Sequence, residues 1–181
     1  IHHRLVGSEM CIRDSRQITA LAQTQTKNAN INVSYTNRHW DGYREHENHD
    51  LDALNLYAQF FTSPKRTINL MALYADTRFQ IAGSINADDV AENPQQYGGM
   101  SQDFNASVDK QRAIIGIGQN YRFNQHWENN TSINLFYERK ESPFGTSPFY
   151  NGFKRNSGNG FGLRSVFTHQ TAFLNDKIRK L

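Results

Sequence analysis

The stretch Gln119–Glu141, QNYRFNQHWENNTSINLFYERKE, decides the fold. After its turn, Trp127, Thr131, Ile133, Leu135 and Tyr137 fall on one face, and Glu128, Asn130, Ser132, Asn134 and Glu138 on the other; Phe136 is the single exception. Alternation with period 2 is the signature of a strand whose two faces meet different surroundings. Upstream the pattern repeats, with Ala113, Ile115, Ile117, Tyr121 and Phe123 opposite Arg112, Gly116, Gly118, Asn120 and Arg122. Working outward, Leu54, Leu56, Ala58 and Phe60 oppose Asn55, Tyr57 and Gln59. Ile31, Val33 and Tyr35 oppose Asn32, Ser34 and Thr36, and Phe161, Leu163 and Phe167 oppose Gly162, Arg164 and Val166. In TINLMALYADTRF the apolar face is assigned to Ile68, Leu70, Ala72 and Tyr74.

Composition agrees. The chain has 181 residues, 37% hydrophobic and 12% aromatic, with a net charge of +3. Its mean hydropathy of −0.75 is low for a packed core, yet a disordered chain is poor in aromatics. Alternation reconciles the two. The longest apolar run, Leu70–Ala75, is far short of the roughly 20 residues of a membrane helix. That excludes helical spans and leaves a membrane barrel open. Connections alternate in length: TKN (26–28), SPKR (63–66) and NQH (124–126) are short, while 41–49, 80–109 and 142–157 are long and polar. Short turns at one end and long loops at the other are what an outer-membrane barrel shows. Aromatics near strand ends, Trp40, Tyr74, Tyr121, Phe123, Trp127 and Tyr137, suit interfacial girdles. The predicted fold is all-β, a partial antiparallel transmembrane barrel of about seven strands. A soluble sheet is the alternative, although its strands average about 5–6 residues.

Residues 1–15 have a different character. LVGSEMCIRDS holds the only cysteine, Cys11, and scatters Glu9, Arg13 and Asp14 where a secretory signal needs an apolar run. The run resembles the translation of a transposase adapter used in sequencing libraries, so residues 1–15 are set aside and the protein proper is read from Arg16.

The loop HWDGYREHENHD places His39, His46 and His49 among Asp41, Glu45, Glu47 and Asp50. Imidazole and carboxylate together suit a transition metal, but the spacing matches no structural zinc pattern. His46 and His49 are the weak metal candidates. Arg38, Arg44, Lys140, Lys154 and Arg155 cluster toward the long-loop ends, where they can meet an anionic ligand or lipopolysaccharide phosphates. Asp88, Asp89 and Glu92 precede a proline at position 94, which predicts a short helix that ends there. There is no nucleic-acid motif. No nucleophile–base pair, phosphate loop or catalytic carboxylate pair is present either, so neither an enzyme nor a cofactor is expected.

NVSYTNRHWDGYREH resembles a barrel stretch of TonB-dependent outer-membrane receptors, in which a strand runs into a D-G-Y-R loop, here Asp41–Arg44. Ala82-Gly83-Ser84-Ile85 stands where that family has a P-G-G-L-T-like turn, and Asn93-Pro94-Gln95-Gln96 keeps its N-P-x-Q run. NYRFNQHWENNTSINLFYERKESPF and GFGLRSVFTH resemble the strands that follow. The resemblance covers nearly all of 16–181 and implies part of a 22-stranded barrel of a Gram-negative outer membrane, with short periplasmic turns and long extracellular loops. The whole receptor would hold a plug domain, be energised through TonB, and import a metal chelate such as a ferric siderophore. Neither plug nor coupling motif lies in this stretch, which reads as truncated at both ends. An open section leaves unpaired strand edges and is not expected to insert alone. The residues expected at the ligand, in loops and rim, are Arg38, Trp40, Tyr43, Arg44, Tyr97, Phe149, Tyr150 and Arg155. A passive porin-type channel, or a soluble β-sheet binding protein, are the alternative functions.

Overall fold

The computed structural model describes residues 4–9 and 15–170. Eight strands form one antiparallel sheet in chain order: β1 (Arg4–Glu9), β2 (Ser15–Gln25), β3 (Ala29–Trp40), β4 (His49–Ser63), β5 (Arg66–Gln80), β6 (Ser107–Arg122), β7 (Trp127–Ser147) and β8 (Tyr150–His169). One helix, α1 (Ala87–Glu92), lies between β5 and β6. The predicted section is β2 to β8, seven strands of 11 to 21 residues, each long enough for a tilted span of about 9–11 residues. The chain is all-β and forms an open section of a β-barrel. Within the set-aside stretch, the backbone of β1 pairs with β2, Leu5 opposite Ala22. An open edge accepts any adjacent extended segment, so this pairing says nothing of where the stretch comes from. Cys11 lies outside the described residues.

Register carries the alternation across the sheet. Val33, Leu56, Ala72, Ile115, Leu135 and Phe161 form one lateral row, and Ile31, Ala58, Leu70, Ile117, Ile133 and Leu163 another. The assignment of Ile68, Leu70, Ala72 and Tyr74 to the apolar face therefore holds. This face is bare: Ile115 is 59% exposed and Leu135 54%, and no large side chain among the described residues is fully buried. A sandwich would cover such a face with a second sheet; here there is one layer.

Two aromatic rows bound the apolar face. At the long-connection end, Tyr35, Tyr74 and Tyr137 stand on alternate strands in the row Tyr35–Leu54–Tyr74–Ala113–Tyr137. The next row outward is polar, Asn37–Asp52–Asp76–Gln111–Arg139, and the Tyr35 and Tyr74 hydroxyls donate to Asp52 and Asp76. The rings thus sit on the apolar side with their hydroxyls toward charge. At the other end Tyr121 packs edge-on against Phe123 at 4.8 Å, Phe123 stacks on Phe167 at 6.3 Å, and Trp127 meets His169 at 4.5 Å. From Tyr137 to Trp127 the strand advances about 34 Å, or about 26 Å along the normal at a tilt of about 40°.

The opposite face is polar and held by side-chain hydrogen bonds, including Thr19–Thr36, Asn55 to Ser34, Gln59 to Asn69 and Asn130 to Asn120. Phe136, the exception to the alternation, lies across Gly160: a Cβ on that glycine would meet the Phe136 ring at 2.5 Å. The ring covers backbone that glycine leaves open.

The short turns behave as predicted. Thr26 Oγ1 accepts from the amides of Asn28 and Ala29, and Asn124 Oδ1 from those of His126 and Trp127. Helix α1 forms where expected, closed by a capping box between Asn86 and Asp89. The long loop expected over 142–157 is not a loop. β7 continues to Ser147 and β8 starts at Tyr150, joined by Pro148–Phe149 alone. Its Ser, Pro and Gly content suggested irregular chain, yet a register shift between Pro143 and Gly145 accommodates the proline, and main-chain pairing runs on.

Candidate functional site

At the long-connection end, the 41–48 loop and the 81–106 segment form one hydrogen-bonded unit centred on Arg44. Its Nη1 donates to the Gly83 carbonyl at 2.7 Å, and Nε and Nη2 to the Gln96 carbonyl at 3.1 and 2.9 Å. The D-G-Y-R, A-G-S-I and N-P-Q-Q stretches, far apart in sequence, thus meet at one guanidinium. The planar fork suits this role because it satisfies two carbonyls at once. Glu47 holds the near side of the loop, its Oε2 accepting from the amides of Tyr43 and Arg44 at 3.0 and 2.9 Å. The amide of Glu45 donates to the Gln95 carbonyl, and that of Gly98 to the Ala82 carbonyl. Gly83 is required: at φ +76°, a Cβ would meet the Gly98 carbonyl oxygen at 2.4 Å.

His46 Nε2 lies 3.0 Å from the Ala106 carbonyl, and His49 packs edge-on against Phe79 at 6.2 Å. The two metal candidates are thus engaged separately, and no metal-binding cluster occurs among the described residues. Burial, and then the charge of Arg38, hold the His49 pKa below its ordinary value. His39 differs. Beyond the tyrosine row, its Nδ1 bonds Asp50 and its Nε2 bonds Asp41 at 2.7 Å, so both ring nitrogens face carboxylates and its pKa is raised, by Asp50 first and then Asp41. The His39 clamp is therefore fully present below the ordinary imidazole value of 6.5 and is lost as pH rises through the raised one. Amide exchange across 41–48 is expected to quicken on alkalinisation beyond the intrinsic rate, and a His39→Gln variant to lose that excess. Equal excess in both proteins would refute the clamp.

Strand parity separates the basic residues that the sequence groups together. Arg38, Lys140 and Lys154 share the polar face, whereas Arg155 lies on the apolar side, past the tyrosines, with its Nε donating to Glu141 at 2.6 Å. There Arg155 joins a charged row, His39–Asp50–Arg78–Asp109–Glu141–Arg155, in which Arg78 also pairs Asp109 at 3.5 Å. Trp40 ends β3, 42% exposed and opposite His49. Tyr43 is 60% exposed in its loop, and Tyr97 is half-buried beside the Gln96 that Arg44 holds. Phe149 stands fully exposed at the β7–β8 tip, and Tyr150 packs edge-on against Phe144 at 5.2 Å. The expected residues therefore fall into four groups: the loop unit, the polar face, the hairpin tip and, for Arg155, the charged row on the apolar side.

Two cations that the loop-centred reading missed, Lys110 and Arg112, enter the polar face from β6. Register gives the row Arg38–Leu51–Thr77–Lys110–Lys140–Asn156, and below it Thr36–Ala53–Ala75–Arg112–Glu138–Gly158. Arg112 donates through Nε at 2.9 Å and through Nη2 to Glu138, while Lys110 reaches the same carboxylate at 3.6 Å. Their signal lies in KQR ahead of the apolar run AIIGIG, where Arg112 reads only as the polar side of a strand and Lys110 is not singled out.

The sequence matches no family model, and no curated protein matches it. The fold is similar to the crystal structure of the ferric citrate transporter FecA in its unliganded form, with a TM-score of 0.60 and 13% identity. The likeness covers 86% of this chain and 28% of the transporter, so the chain spans less than a third of that protein's length. At this identity the likeness establishes the barrel-type fold.

Proposed function

We propose that residues 16–181 are a section of the barrel of a TonB-dependent outer-membrane receptor that imports a metal chelate, most fittingly a ferric siderophore. On this reading residues 1–15 are adapter-derived, and the plug and the TonB-coupling segment belong to the rest of the receptor. The observation that carries it is the exposed apolar face, continuous over the six strands β3 to β8, with a tyrosine row at one end and an aromatic cluster on β6 to β8 about one bilayer core away. In water such a face is a large uncovered patch; in a bilayer it is the ordinary outer surface of a barrel. The charged row past the tyrosines then lies at headgroup level, where lipopolysaccharide is its neighbour. The polar face lines the lumen, and the Arg44 unit with the β7–β8 ribbon projects outside the cell. The likeness to FecA, a ferric citrate transporter, is consistent with this reading through its fold, and the meeting of D-G-Y-R with N-P-Q-Q supports it independently of overall similarity.

The test uses the full-length protein in its Gram-negative host. It is expected to fractionate with the outer membrane and to confer uptake of a radiolabelled ferric chelate that stops when the proton gradient is collapsed. Uptake indifferent to the gradient would favour a passive channel, and recovery in the aqueous fraction would sink the membrane reading altogether.

A further inference from the structure

The polar face concentrates positive charge at one end. Beyond the level of the tyrosines it carries Arg38, Lys110, Arg112, Lys140 and Lys154 against the single carboxylate of Glu138. Arg112 already engages that carboxylate through two nitrogens. Lys110 and Lys140 are direct cross-strand partners, and like charges directly opposite destabilise a sheet. Arg38, Lys140 and Lys154 make no ion pair among the described residues. The same rows on the other side of the sheet behave differently, for there Arg78, Arg139 and Arg155 are matched or outnumbered by Asp50, Asp52, Asp76, Asp109 and Glu141. The excess of cations is thus specific to one face and one end.

Next to these cations is an open groove of about 720 Å³, lined by Arg112, Ile114, Phe136, Glu138, Lys140 and Asn156 among others, with Lys110 outside the lining but opposite Lys140 in register. Ile114 and Phe136 are opposite in register and give it an apolar floor in the midst of a polar wall. At Gly158 on β8 a Cβ would meet nothing within 4 Å, so that part of the groove's far wall is bare backbone. Cations on the rim, an apolar and aromatic floor and an amide in Asn156 are the features of a site for an anion that also carries a flat or apolar part.

We propose that this groove is an anion-selective ligand subsite, taking a metal chelate of net negative charge whose carboxylates meet Lys110, Lys140 and Arg112 and whose apolar part lies on Phe136 and Ile114. The proposal rests on the reading of the polar face as the lumen wall of a transport barrel, and it adds the charge class of the cargo. The repulsion between Lys110 and Lys140 is relieved when an anion sits between them. The two lysines also form an attractive electrostatic step for an anion entering from the loop end.

The experiment compares two probes on full-length receptor in outer-membrane vesicles: gallium(III) citrate, which is anionic, and a neutral gallium(III) trihydroxamate. Wild-type receptor is expected to bind the citrate complex more tightly, with affinity that falls as salt is raised. The double variant Lys110→Gln/Lys140→Gln is expected to lose about tenfold or more in citrate-complex affinity and to change trihydroxamate binding by less than about twofold. Lys140→Arg, which keeps the charge, is expected to retain wild-type binding, and heat-modifiability on gels verifies that each variant is a closed barrel. Citrate-complex binding unchanged in the double variant, or an equal loss for both probes, overturns the subsite. If the neutral probe alone binds, the anion assignment fails while the transport reading stands; if neither binds, both fail.

Discussion

Replacing Ile117 with arginine is expected to cost about 2–4 kcal/mol of stability in a bilayer, the largest single-residue effect this sheet should show. Ile117 lies midway between the two aromatic rows, flanked in register by Leu70 and Ile133, and half of its surface is open. In a membrane that surface meets hydrocarbon, and a guanidinium there must drag water inward or tilt toward the headgroups. In water the same substitution replaces exposed apolar surface with charge and costs close to nothing. The measurement is a urea titration of the full-length protein refolded into lipid vesicles. Asn32→Arg, on the polar face one row away, serves as the matched control with little expected change. An unaltered midpoint for Ile117→Arg, or equal losses at the two positions, would refute the membrane assignment of the faces.

The second large effect belongs to Arg44. Arg44→Ala removes three charge-assisted hydrogen bonds and strands the carbonyls of Gly83 and Gln96. Opening of the loop unit is expected to become easier by about 2–3 kcal/mol, seen as roughly 30- to 150-fold faster exchange of the Glu45 and Gly98 amides. Lysine in its place supplies a single flexible charge and should recover only part of the protection, because it cannot address two carbonyls in one plane. Exchange elsewhere in the sheet, for example at Leu56 or Ile117, should not move. Unchanged exchange at Glu45 and Gly98 in Arg44→Ala would show that the remaining main-chain bonds hold the unit unaided.

How much of this was legible beforehand follows from where the information resides. The two faces were visible because strand periodicity is local: Ile133, Leu135 and Tyr137 declare their side without knowing their partners. The short turns were visible for the same reason, since Thr26 and Asn124 act on amides two and three residues away. The β7–β8 ribbon was hidden because its order comes from main-chain pairing across the hairpin, while its Ser, Pro, Gly and Asn residues have weak strand preference. The grouping of Arg155 with Lys154 is one of end and not of face, since neighbours in a strand necessarily point to opposite faces. Arg44 was singled out as a ligand contact because an exposed-looking arginine in a loop invites that role. Its actual partners are backbone oxygens 39 and 52 residues away, which no side-chain pattern announces. Phe136 broke the alternation for a reason carried by Gly160, 24 positions downstream in the chain and adjacent only once β7 and β8 pair.

The way Arg44 holds the 81–106 segment also bears on how such a surface can change. The guanidinium grips main-chain oxygen, which every residue possesses, so most positions of that segment are invisible to it. Gly83 and Gly98 are the exceptions, because a side chain at either would collide with the facing main chain, of Gly98 and of Ser84 respectively. Residues such as Tyr97, Met100 and Gln102 are therefore free to be rewritten by mutation while the fastening persists. Diversity at the outer surface and constancy of its frame are thereby uncoupled. A library randomised across this segment, with Arg44, Gly83 and Gly98 kept, would explore new recognition without dismantling the scaffold.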